Sequence, residues 1–120
     1  GVGPGQAAYN TLYPLYSYSH ISAPHAHNLF LQTMCDTGVC GIVLLVLVVF
    51  SAVRTLATAV SREERRENRM FQSAGIAAIG GFMLQSMFDY TFYNYRGMLM
   101  FWAFLGIYLL YTKLREEEPA

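Results

Sequence analysis

VCGIVLLVLVVFSAVRTLATAV, residues 39–60, decides the architecture, because twenty-two residues carry one charge, Arg54. Up to Val53 eleven of them are Leu, Ile, Val or Phe. At about −0.3 to −0.6 kcal/mol each near a helix centre, these favour insertion into a bilayer by roughly 3 to 6 kcal/mol. Arg54 lies near the end of the run, where a long cationic side chain reaches the interface. Two further runs follow. Residues 70–88 are nineteen residues without a charge, diluted by Gln72, Ser73, Gln85, Ser86 and several glycines. Residues 97–112 number sixteen, about 24 Å of helix at 1.5 Å per residue, so that span draws on flanking residues or a thin bilayer.

The expectation is an all-α integral membrane protein. Three transmembrane helices occupy residues 38–120, preceded by residues 1–37 as an extracytoplasmic loop with a short interfacial helix. Core helices of a soluble protein are the alternative, but three such segments leave almost no amphipathic element to cover them. Composition agrees with a membrane: of 120 residues (13.5 kDa), 54% are hydrophobic and 13% charged, about half the usual charged share. Eight Lys/Arg balance eight Asp/Glu, which removes any electrostatic case for nucleic acid. Cys35 and Cys40 are too few for a disulfide framework and lack metal-site spacing; free thiols are expected.

Orientation follows the positive charge. Residues 61–69 (SREERRENR) hold Arg62, Arg65, Arg66 and Arg69, and the tail holds Lys113 and Arg115, against Arg96 alone on the other side. The arginine loop and tail are therefore expected in the cytoplasm. The amino-terminal segment and the turn 89–96 then face outward with all three histidines and seven of the nine tyrosines. Those tyrosines suit an interfacial belt, with a saccharide stacking platform as the functional alternative. Ser61 and Glu64 have capping-box spacing for a helix starting in the cytoplasmic loop. Gly3, Pro4 and Gly5 read as a tight turn, with cradling of phosphate by its amides as the functional alternative. With no Met and basic stretch at its start, the sequence reads as the carboxyl end of a larger membrane protein.

Chemistry concentrates before Asp36. Pro24 precedes a helical stretch, 26–34, and a helix continuing straight to residue 60 would be about 52 Å long, well over the bilayer core. A break is expected near Gly38. His27 then stands near a helix amino terminus, where an anion is welcome and a neutral imidazole is favoured, as a general base requires. A metal centre using His20, His25, His27 and Asp36 is the rival. His25 and His27 diverge in either a strand or a helix, so no metal is expected.

The residues also carry a resemblance. His27-Asn28, nine residues, then Gly38-Val39-Cys40-Gly41 reproduce a His-Asn-x9-Gly-x-x-Gly pattern. With GVGPGQAAY at the start and FDYTFYNYRG before the last span, the chain resembles the carboxyl-terminal part of the O-antigen ligase and polymerase family of bacterial membrane glycosyltransferases. The resemblance implies transfer of a glycan from a polyprenyl diphosphate carrier to an acceptor hydroxyl, on a glycan or lipid-linked acceptor. The reaction takes place on the outer face of the cytoplasmic membrane, with no cofactor. It makes His27 the catalytic residue. Arg96, Asn28 and His25 are expected at the substrate, Arg96 as the one fixed outer cation for the diphosphate. Asp89 is expected to cap the turn or to pair with Arg96. The competing function is a non-catalytic membrane module of a polysaccharide export or assembly system.

Overall fold

The computed structural model describes residues 1–18 and 23–117; His20 lies outside them. Among the described residues four helices follow in order: α1 (Gln6–Tyr16), α2 (Leu29–Arg62), α3 (Arg66–Gln85) and α4 (Tyr95–Glu117), with a 3-10 turn at Thr91–Tyr93 between the last two. No strand occurs among the described residues. The long axis is 63 Å and the other two are 22 and 21 Å, as a slender bundle around one long helix requires.

That helix is α2. Its 34 residues correspond to about 51 Å at the helical rise, and it bends at Gly38, whose φ of 74° and ψ of −167° leave the helical region. Helical pairing would have used the amides of residues 39 and 40 to satisfy the Cys35 and Asp36 carbonyls. Those carbonyls instead accept from Val2 N at 2.7 Å and Gly3 N at 3.0 Å. The amino-terminal segment thus repairs the hydrogen bonds that the bend removes. Glycine is needed at 38 for its positive φ and for room, since a Cβ there would lie 2.8 Å from Gly1 N.

The glycine turn that follows has the anticipated backbone, with φ of 104° at Gly3 and 110° at Gly5. It does not present a phosphate cradle: the Gly3 amide is engaged by Asp36, and Gly5 is the residue before α1. Helix α1 is a finding that the tyrosine-rich sequence did not announce. Pro14 sits inside it near its end, and the buried Tyr9 stacks on Tyr13 with centroids 5.2 Å apart.

The core lies where α2, α3 and α4 meet: Ala52 and Leu56, Ile79, and Phe101 and Leu105. Phe82 stacks on Phe101 at 4.5 Å, and Phe92 reaches the same ring at 5.7 Å. Gly75 lets α3 approach α4, because a Cβ there would stand 2.7 Å from Cδ1 of Tyr108. Tyr111 donates to Asn68 Oδ1 at 2.7 Å, tying the same two helices near their other end.

Helices α2 and α4 are long and apolar enough to cross a membrane, with only 17% of the apolar window of each buried. Leu44, Leu47 and Phe50 on α2, and Phe104, Ile107 and Leu110 on α4, are more than half exposed. A helix clothed in apolar side chains on its free faces calls for a neighbour other than water. Helix α3 does not meet the same standard, for the polar and glycine content already noted in residues 70–88. Helix α4 extends through 23 residues, longer than its uncharged run, because Tyr95, Arg96 and the residues after Thr112 continue it. The capping box does not form: Ser61 belongs to α2 and donates to Thr58 O, while α3 begins at Arg66 without a side-chain cap.

Candidate functional site

Two irregular segments meet at one end of the bundle: the entry to α2 and the turn after α3. Asn28 is the N-cap of α2, its Oδ1 accepting from Leu31 N at 2.9 Å. The same side chain donates through Nδ2 to Met87 O at 2.8 Å. One residue on, Leu29 N donates to Ser86 O at 2.8 Å. Ser86 is fully buried, its hydroxyl donating to Phe82 O and meeting the Thr91 hydroxyl, both at 2.7 Å. These bonds lock the segment before α2 onto the turn that carries residues 86–91. Asn28, expected at the substrate, is thus a cap and a cross-link.

The engagement of Leu29 N and Leu31 N corrects one expectation: the start of α2 spends those amides within the protein and does not offer them to an anion. Gln32, 2% exposed, accepts from Ala26 N and donates to Asp36 Oδ1, each at 2.8 Å. It fixes the loop containing His25 against the first turns of α2.

His27 is exposed and adopts φ of 49°, the only positive value at a non-glycine among the described residues. A side chain in that region costs about 1–2 kcal/mol, and the surrounding hydrogen bonds hold it there. The turn brings His27 N back to His25 Nδ1 at 3.2 Å, and the two rings lie 4.2 Å apart. Residues two apart diverge in a regular helix or strand, and this backbone is neither. His25 and His27 therefore do converge. The third member is Asp89, whose Oδ1 is 3.8 Å from His27 Nδ1 and accepts from Tyr90 N at 2.7 Å. One ligand atom from each of His25, His27 and Asp89 lies within 4.8 Å of the other two.

His25 is the more sheltered histidine. Its ring packs 5.6 Å from Tyr90 and 4.9 Å from Tyr93, and burial, then the neighbouring His27, lower its pKa from 6.5 against the opposing pull of Asp89. Burial, then the charge of Asp36, raises that of the Tyr90 hydroxyl. Beside these residues opens a cavity of about 560 Å³ whose walls include His25, Gln32, Asp36, Tyr90, Tyr93 and Tyr95. His25 contributes to the wall, while His27 stands next to it. Aromatic rings with a few polar groups form the usual lining of a small-molecule or saccharide site.

Arg96 is exposed at the start of α4, its guanidinium 5.8 Å over the Tyr95 ring and its Nε donating to Tyr95 Oη at 3.3 Å. It makes no ion pair with Asp89, which faces His27. Asp89 is thus the residue whose role the sequence concealed, although it is the sole acid of that turn and its distance from His27 in sequence gives no cue. Asp36, placed in the rival metal set, instead binds Gln32. No protein family, curated protein or solved structure matches the chain.

Proposed function

We propose that this chain is the carboxyl-terminal part of an O-antigen ligase-like membrane glycosyltransferase, with His27 as its general base. The observation that carries the reading is His27 itself. It is exposed, held at φ 49° beside an aromatic cavity, and has a carboxylate 3.8 Å from one ring nitrogen. Functional strain at an exposed histidine, with an acid to orient it, is the arrangement proton transfer needs.

In the proposed reaction Asp89 draws closer as substrate binds and accepts a hydrogen bond from Nδ1–H of His27. The lone pair then lies on Nε2, the tautomer that takes a proton from the acceptor hydroxyl. The acceptor oxygen attacks the anomeric carbon, forming the new glycosidic bond as the bond to the diphosphate oxygen breaks. The departing diphosphate leaves on its polyprenyl carrier, and the proton passes from His27 to it or to water. Arg96, one residue from the cavity wall at Tyr95, supplies positive charge for the diphosphate. His25 lines the pocket beside the base, and Asn28 pins the segment that carries both histidines.

In this reading the chain lies in the bacterial cytoplasmic membrane as three spans, with the arginine-rich 61–69 loop inside and the histidines outside. Residues 1–37 form the extracytoplasmic segment. Helix α3 crosses as the middle span, with Gln72 turned inward at 2% exposure.

Replacing His27 by Ala in the intact membrane protein, with a polyprenyl diphosphate-linked glycan as donor, is expected to lower transfer by about 10²–10⁴-fold. Circular dichroism should register no loss of helix. Wild-type turnover in that variant would leave a non-catalytic module of polysaccharide export or assembly as the better reading.

A further inference from the structure

We propose that His25, His27 and Asp89 form a binding site for a borderline-soft divalent cation of the zinc type. Two imidazoles and one carboxylate are a donor set that zinc, cobalt and their neighbours take and magnesium does not. One ligand atom from each residue falls within 4.8 Å of the other two, and His27 Nδ1 and Asp89 Oδ1 are 3.8 Å apart. Around a tetrahedral ion with bonds of about 2.0–2.1 Å, donors sit roughly 3.3 Å apart. Closing the trio takes side-chain movement of about 1.5 Å at most, and the His27 and Asp89 side chains are 63% and 55% exposed.

The convergence is built by the backbone. The positive φ at His27 turns two rings together that a helix or strand would part. Asp89 arrives on the other segment, and the two segments are pinned by Leu29 N to Ser86 O and by Asn28 Nδ2 to Met87 O. Tyr90 N orients the Asp89 carboxylate, and Tyr90 and Tyr93 wall the His25 ring. Supporting contacts of this kind fix ligands around bound metals.

The site stands whether or not the chain transfers glycans, since binding is read on the ion. Should both hold, an ion on Nδ1 of His27 leaves the ring proton on Nε2, and the imidazole no longer accepts one. Zinc would then be an inhibitor competing with the base.

The test is titration of the intact membrane protein in detergent micelles with cobalt(II), followed by its displacement with zinc. One equivalent should bind with visible d–d absorption, and His25→Ala and His27→Ala should each weaken it by at least about tenfold. Asp89→Asn, the variant least disturbing to the fold, should weaken it too, with circular dichroism unchanged. A Cys35→Ser/Cys40→Ser chain should bind as the parent does. Parental affinity in either histidine variant, loss of binding in the cysteine variant, or no cobalt binding tighter than about 100 μM, would overturn the site.

Discussion

Ala52, Leu56, Ile79, Phe101 and Leu105 close on one another at the middle of the bundle with no polar side chain among them. The histidine end is organised differently: Asn28, Gln32, Ser86 and Asp89 hold it through hydrogen bonds, and His27 carries backbone strain. Apolar contact is tolerant of direction and supplies stability. Hydrogen bonds fix direction and contribute less net energy each. The shaft therefore keeps the chain folded, while the end keeps His25, His27 and Asp89 in register. Substitutions in one region should move observables that substitutions in the other leave alone.

The largest effect should come from the shaft. Leu56 is fully buried, and Leu56→Ala should cost about 2–5 kcal/mol in equilibrium unfolding in detergent. The imidazole resonances of His25 and His27 should stay in place; a shift in them would dissolve the distinction between the two regions. At the histidine end, Asn28→Ala removes the α2 cap and the bond to Met87 together, an expected loss of about 1–2 kcal/mol. Its sharper signature is faster amide exchange at Leu31 and altered His27 chemical shifts. An Asn28→Ala chain with parental exchange at Leu31 would mean the cross-link is idle.

Acidification should give the smallest effect and the most local one. His25 holds its proton less tightly in the folded chain than at its ordinary 6.5. Above about pH 6.5 folded and unfolded forms are both neutral there, and the contribution of His25 to stability is complete. It is lost as pH falls through the lowered folded value. A proton NMR titration should place the His25 midpoint below 6.5, and a midpoint at or above that value would remove the sheltering by Tyr90 and Tyr93 from the argument.

How much of this the sequence disclosed depends on the range over which the cause acts. The apolar runs and the overlong stretch before residue 60 are local, so the helices and the bend at Gly38 were legible from composition and rise per residue. Helix α1 was not, because Pro14 and the tyrosines weaken a local helical pattern that the burial of Tyr9 rescues. At the site, His27 was singled out in the sequence by its spacing to the two glycines. Its partnership with His25 and Asp89 was hidden, because one needs an unusual φ and the other a contact across sixty-two positions. Asp89 was expected to cap its turn or to pair with Arg96, the opposite charge of the same short turn. Instead Asp89 turns towards His27 and Arg96 towards Tyr95.

The repair of the bent helix by Val2 and Gly3 uses main-chain donors alone. Side-chain identity at position 2 should therefore matter little, apart from one residue type. Proline lacks the N–H, so at position 2 it would strand the Cys35 carbonyl, and at position 3 that of Asp36. A sequence that drifts freely at Val2 yet never admits an imino acid there would be the evolutionary trace of a helix mended from outside itself.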